Sequence, residues 1–127
     1  MKIQLETGGG QNLIRAYAPG NITVNDKAYS RSLIVTPQTL TDWPPASFCD
    51  LLATHFVMLA EMRPEVVILG TGVKLRFPPP SLTRALVEAN IGLEVMDTGA
   101  ACRTYNILMG DGRRVVAALL MIENGQD

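Results

Sequence analysis

The sequence predicts an α/β fold in which a βαβαβ parallel unit joins an N-terminal antiparallel hairpin set, residues 1–127 forming a single domain. Three observations carry that prediction. The second half alternates short apolar runs with stretches of helical spacing, which implies right-handed parallel crossovers. The first half alternates in period two between turn signals, as antiparallel hairpins do. The chain is 127 residues long and 47% hydrophobic, and a chain of this size buries roughly two-thirds of its unfolded surface in a real core.

The elements follow in order. The run Gly8-Gly9-Gly10 reads as a flexible leading loop. Over residues 13–17, Leu13, Arg15 and Tyr17 alternate with Ile14 and Ala16, a strand signal that Gly20-Asn21 breaks. Ile22 and Val24 begin a second strand, Asn25-Asp26 turns the chain, and residues 29–36 read as a third. A loop rich in Thr and Pro, 37–45, leads to a long helix predicted over 46–62. On it Phe48, Leu51, Leu52, His55, Leu59 and Met62 share one stripe, and Pro64 ends it. Residues 66–69 form an all-apolar strand of the kind covered on both faces. Ser81 reads as the N-cap of a helix to Asn90, with Leu82, Ala85, Leu86 and Ala89 on its buried face. Residues 93–96 form the next strand, 98–109 a third helix, and the apolar run 115–122 a central strand. Trp43 reads as a core residue.

Charge and composition exclude several classes of function. A net charge of −1 with scattered Lys and Arg leaves no electrostatic footprint for nucleic acid. No apolar run reaches the ~20 residues of a membrane helix. The N-terminal residues carry neither a secretory apolar core nor an Arg-rich transit pattern, so a cytoplasmic location is the expectation. In that compartment Cys49 and Cys102 are expected to be free thiols. A single His and two distant cysteines provide no Cys/His metal site, so neither metal nor cofactor is expected.

The most informative stretch is 96–106. If the strands ending at Leu69 and Met96 are parallel, Gly70-Thr71-Gly72 and Asp97-Thr98 emerge on one edge, where open α/β sheets bind ligands. Thr98 as N-cap would leave free N–H groups in the first helical turn. The small residues Gly99 and Ala100 would admit an anion or a partner's backbone, with Lys74 and Arg76 adding positive charge at the rim. Gly70-Thr71-Gly72 is nevertheless a lone GxG, followed by the extended run Lys74-Leu75-Arg76-Phe77 and three prolines before the next helix. A tight structural turn is the better reading than a phosphate cradle. Cys102, near a helix start and beside Arg103, is the one tempting nucleophile, although buried packing is the commoner role of a free cysteine. His55 reads as a hydrogen-bonded core residue rather than a base. On the third helix Ala101, Thr104, Tyr105 and Leu108 share a sheet-facing side, whereas Arg103 and Asn106 point away, either solvated or part of a site.

Together Val67-Ile68-Leu69-Gly70-Thr71-Gly72, the run 92–98, Ala101, Thr104-Tyr105-Asn106, Leu108, Gly112-Arg113 and Ala117-Ala118-Leu119 carry a resemblance. The chain resembles the small domain-of-unknown-function family whose eukaryotic members include an assembly factor for mitochondrial respiratory complex I. The resemblance implies a three-layer β+β/α fold and no established activity or cofactor. It also implies a non-catalytic assembly or accessory role with a protein partner. The residues expected to bind that partner or a ligand are Gly70, Thr71, Gly72, Asp97, Thr98, Cys102, Arg103, Thr104, Tyr105 and Asn106. The alternative is a protein binding a small anionic ligand, or an unrecognised enzyme, using the same crevice.

Overall fold

The structure, a computed structural model, describes residues 10–123; most of the glycine run at 8–10 thus lies outside the described residues. Strands β1 (Ile14–Ala18), β2 (Asn21–Val24) and β3 (Lys27–Tyr29) form an antiparallel sheet in that order. Asn25 makes the β2–β3 turn at φ 55, a left-handed conformation that Asn tolerates because its short polar side chain bonds locally. The alternation predicted for β1 is interrupted: its register with β2 slips between Ile14 and Ala16, and of its residues only Ile14 is buried.

The segment predicted as one strand over 29–36 is two strands in two sheets. The chain leaves the first sheet at Tyr29, crosses at Ser30-Arg31-Ser32, and enters a five-stranded sheet as β4 (Leu33–Val35). β-propensity marks both pieces as extended but cannot say which sheet receives each. The predicted Thr/Pro loop also contains a strand, β5 (Leu40–Asp42), antiparallel to β4. A side-chain-closed turn makes this hairpin, Thr36 Oγ1 accepting from the backbone N–H of Gln38 (3.2 Å) and Thr39 (2.9 Å).

The predicted 46–62 helix is broken. A 3₁₀ turn at Phe48–Asp50 is followed by extended Leu51 and Leu52, and α1 spans only Ala53–Ala60. The break has a local cause. His55 Nδ1 accepts a hydrogen bond from the Leu52 N–H at 3.0 Å, closing the helix start with a side chain. His55 is therefore a capping residue, half-buried, and not the centre of an apolar stripe. Phe56 and Leu59 reach the core, while Leu52 (58% exposed) and Met62 (40%) do not.

β6 (Val66–Gly70), α2 (Pro80–Glu88), β7 (Gly92–Met96), α3 (Thr98–Gly110) and β8 (Val115–Leu119) complete the chain. Pro79 is the N-cap of α2, displacing Ser81 by two positions, because Pro80 at the first helical residue gives up an N–H that would have had no partner. The larger sheet runs β5-β4-β8-β6-β7, with β6 parallel to both β7 and β8, and β4 antiparallel to β8. The βαβαβ unit thus shares its sheet with the β4–β5 hairpin, a junction absent from the prediction.

β8 lies at the centre and faces two cores. Val115, Ala117 and Leu119 pack with α3 and the small sheet, against Ile14, Ile22, Ile68 and Tyr105. Val116, Ala118 and Leu120 pack under α1 and α2 with Phe56, Leu59 and Leu86. Trp43 is in this second core, 3% exposed and edge-on to Phe56 at 6.1 Å. The result is a three-layer α/β architecture: α1 and α2, the five-stranded sheet, then α3 beside the three-stranded sheet.

Candidate functional site

The expected juxtaposition is present. Gly70 lies opposite Met96 in the parallel register of β6 and β7, so the two chain reversals leave the sheet side by side. They are bonded to each other: Thr71 N–H donates to Met96 O (2.9 Å), and Thr98 N–H donates to Gly72 O (2.9 Å). Thr98 is fully buried. Its hydroxyl accepts from Gly72 N–H at 2.8 Å and donates to Leu120 O at 2.6 Å, joining the ends of β6, β8 and α3 in one latch. The N-cap is Asp97 and not Thr98, with Asp97 Oδ1 accepting from Ala100 N–H at 2.9 Å.

Space on the α3 side of the latch is filled. A methyl on Gly70 would lie 2.9 Å from Thr98 Oγ1 and 3.1 Å from Ala101 Cβ, so glycine is what allows α3 this close to the sheet. The gap expected over Gly99 holds the Tyr17 ring, whose Cε1 would be 2.9 Å from an added Cβ. In the first turn of α3 the N–H groups of Thr98, Ala100 and Ala101 all bond within the protein. Most of the polar capacity of this helix start is therefore satisfied by the fold itself.

The remaining predicted site residues lie along α3 and bind the N-terminal segment. Arg103 is exposed, sits over the Tyr17 ring at 5.8 Å from its centroid, and donates through Nη1 to the Tyr17 hydroxyl. Tyr105 is fully buried and its hydroxyl donates to Asn12 O at 2.7 Å; burial pushes its ionisation upward. Asn106, one of the two residues expected to point away, holds Ile14 instead. Its Oδ1 accepts from Ile14 N–H (2.9 Å) and its Nδ2 donates to Ile14 O (2.7 Å), the pattern of a neighbouring strand made by one side chain. Thr104 is half-buried on the same helix.

Cys102 is 1% exposed. Burial pushes its thiol up from an ordinary 9.0 to about 12, Arg103 offsetting only part of the effect and the Asp97 charge adding to it. This is the reverse of an activated nucleophile. At neutral pH iodoacetamide is expected to modify exposed Cys49 alone, with Cys102 reacting only after denaturation, as peptide mass spectrometry will read. The sign of the pH effect follows from the same displacement. Below pH 9 both states hold the proton; between about 9 and about 12 the unfolded chain releases it while the folded chain retains it, so stability falls as pH rises. Cys102→Ala should flatten that alkaline loss in urea titrations at pH 8 and 10.

The sequence reading missed the loop that follows the latch. Thr71 Oγ1 donates to Lys74 O at 2.7 Å and lies 3.3 Å from the Arg76 N–H, pinning the loop start to the rim. Beyond it Val73, Leu75 and Phe77 are 46%, 50% and 70% exposed. The signal was the alternation Val73-Lys74-Leu75-Arg76-Phe77 with no partner strand, closed by Pro78-Pro79-Pro80. A cleft of about 210 Å3 opens between this loop and the 3₁₀ turn, lined by Phe48, Cys49, Thr71, Gly72, Val73 and Arg76. The Arg76 guanidinium stacks over Phe48 at 5.3 Å. Among the described residues no group of three or more His, Cys, Asp or Glu side chains is placed to hold a metal, and no helix is long and apolar enough to cross a membrane.

A three-layer α/β protein whose strand-end rim is latched by its own threonines defines a structural class, and a known protein shares its backbone. The crystal structure of a Bordetella parapertussis protein superposes with a TM-score of 0.83 at 39% identity, covering 88% of this chain and 97% of that one. The chain belongs to the family described as "Protein of unknown function (DUF498/DUF598)", which matches residues 14–120. Its relatives include bovine NADH dehydrogenase [ubiquinone] 1 alpha subcomplex assembly factor 3, 32% identical over 109 residues, 84% of this chain. The match spans 59% of the length of that relative. The "13 kDa major membrane protein" of Francisella tularensis is 23% identical over 94% of this chain and 99% of its own length.

Proposed function

We propose that this protein is a non-catalytic accessory or assembly factor, a single cytoplasmic domain that binds another protein through the loop at 73–77. The observation that carries the reading is the exposure of Val73, Leu75 and Phe77 on a loop held rigid at the rim. Apolar side chains presented in a row, flanked by Lys74 and Arg76, suit an apolar strip with acidic neighbours on a partner. Fully burying one such side chain is worth about 1.5–3 kcal/mol, and preorganisation by Thr71 lowers the ordering cost of the loop. Gly70, Thr71, Gly72, Asp97 and Thr98 serve this surface as its foundation, while Tyr105 and Asn106 tie α3 to the N-terminal segment. The assembly-factor relatives support the same reading at the level of the family. The inaccessible Cys102 thiol counts against a catalytic use of the crevice.

The test is a tagged Leu75→Asp/Phe77→Asp double variant expressed in the natural host beside the unchanged chain. Both side chains are exposed, so the melting temperature should stay within the effect of about ±0.5 kcal/mol usual for surface changes. Proteins recovered with the parent chain should drop about 100-fold with the variant, the effect of losing a binding hot spot. Equal recovery by a folded double variant would refute the loop as the binding surface.

A further inference from the structure

The opposite rim, where β6 and β8 begin, carries a separate feature. Two clefts meet there, and Arg63-Pro64 and Arg113-Arg114 line both. The cleft on the side of the 36–39 turn has a volume of about 300 Å3. All three arginines line it, no carboxylate does, and Gln38 and Thr39 add polar groups. Its apolar surface comes chiefly from Met62, 40% exposed, with the buried Pro37 and Val115 behind it. The two acidic side chains nearby, Glu61 and Glu65, line the neighbouring cleft instead.

The arginines are placed by rigid backbone. Arg63 sits at φ 55 and Gly112 at φ +78, so each arginine segment follows a tight reversal. Arg114 is held at both main-chain groups by one residue: its N–H donates to Glu65 Oε1 (2.9 Å) and its carbonyl accepts from Glu65 N–H (2.8 Å). Glu65 also accepts from Arg113 Nε at 3.2 Å, which orients that guanidinium. The guanidinium groups of Arg63 and Arg114 have no ion-pair partner among the described residues. Three cations thus border one cleft, and the nearby Glu65 carboxylate is bonded to the Arg113 side chain and the Arg114 main chain, its charge also acting on that of Arg114.

We infer that this cleft binds a small organic anion, its carboxylate or phosphate head on Arg63 and Arg114 and a compact apolar body against Met62 at the edge of Pro37. A guanidinium fork matches either head by paired charge-assisted hydrogen bonds. The volume stands at the lower end of small-molecule sites, which suits a body about the size of one ring. The inference is independent of the loop at 73–77, which leaves the other rim.

The test is a ¹⁵N NMR titration of the full chain with phenyl phosphate, benzoate, inorganic phosphate and neutral benzyl alcohol. At least one of the two aromatic anions should shift the amides of Gln38, Thr39, Gly112 and Arg114 saturably, at least about 10-fold more tightly than inorganic phosphate or benzyl alcohol. Preference for phenyl phosphate would assign a phosphate-headed ligand, and preference for benzoate a carboxylate. Arg114→Gln and Arg63→Gln should each weaken binding about 10-fold, and raising the salt should weaken it in the parent chain. No saturable shift with either aromatic anion, shifts centred elsewhere, or benzyl alcohol binding equally well would overturn the inference. Equal binding by folded arginine variants would do the same; if those variants do not fold, the neutral control and the salt series decide.

Discussion

Thr98→Val destabilises the folded chain by about 3 kcal/mol, the largest effect expected of any single substitution on the rim. Valine has nearly the shape of threonine, so the packing of α3 is kept and only the hydroxyl is lost. Two buried backbone groups then lose their partner together: the Gly72 N–H that donates to this oxygen at 2.8 Å and the Leu120 carbonyl that accepts from it at 2.6 Å. Each orphaned buried group costs about 1–3 kcal/mol, because no water reaches a site that is 0% exposed. Urea unfolding followed by far-UV circular dichroism measures the loss. Thr98→Ser, which keeps the hydroxyl and omits only a methyl, should cost about 1 kcal/mol. A loss for serine as large as about 3 kcal/mol with little loss for valine would show that the methyl and not the hydroxyl matters.

Asn106→Leu comes next, at about 2 kcal/mol. Leucine keeps most of the volume but cannot replace the paired bonds to Ile14 N–H (2.9 Å) and Ile14 O (2.7 Å). Ile14 is 5% exposed, so both its main-chain groups are left unsatisfied next to the core. The effect should be local as well as global. Hydrogen exchange is expected to quicken across β1 before it quickens in β6 or β8, since Asn106 ties the small sheet to α3. Unchanged exchange at residues 14–18 would mean that β1 is held without Asn106, by its pairing with β2 and the Tyr17–Arg103 contact.

Much of this was legible in the residues. The apolar run 115–122 reads as a strand covered on both faces; β8 is its first part, Val115–Leu119, and the chain leaves the sheet after Leu119. Parallel strands open their carboxyl ends on one edge, which is enough to place Gly70-Thr71-Gly72 beside Asp97-Thr98, as the β6–β7 register does. What resisted reading is tertiary. Helical spacing places His55 and Leu52 on one stripe, but a side chain capping its own helix start leaves no mark on the hydrophobic pattern. Nothing local distinguishes the strand ending at Tyr29 from the one starting at Leu33, because sheet membership depends on what each pairs with. Asn106 looks like any polar residue on a helix until Ile14, remote in sequence, comes alongside. The run Lys74-Leu75-Arg76-Phe77 reads as extended, but nothing local says that no strand pairs with it and that Phe77 stays uncovered.

Recognition through the loop at 73–77, as proposed, predicts where contact falls inside the cell. Phe77 and Val87 are each 70% exposed, which makes a matched pair of positions for a photo-crosslinking benzoyl-phenylalanine. Irradiation in the natural host should give a discrete heavier adduct from position 77 and only diffuse background from position 87. Adducts of equal yield from both positions, or a discrete adduct from 87 alone, would contradict the assignment of recognition to the loop.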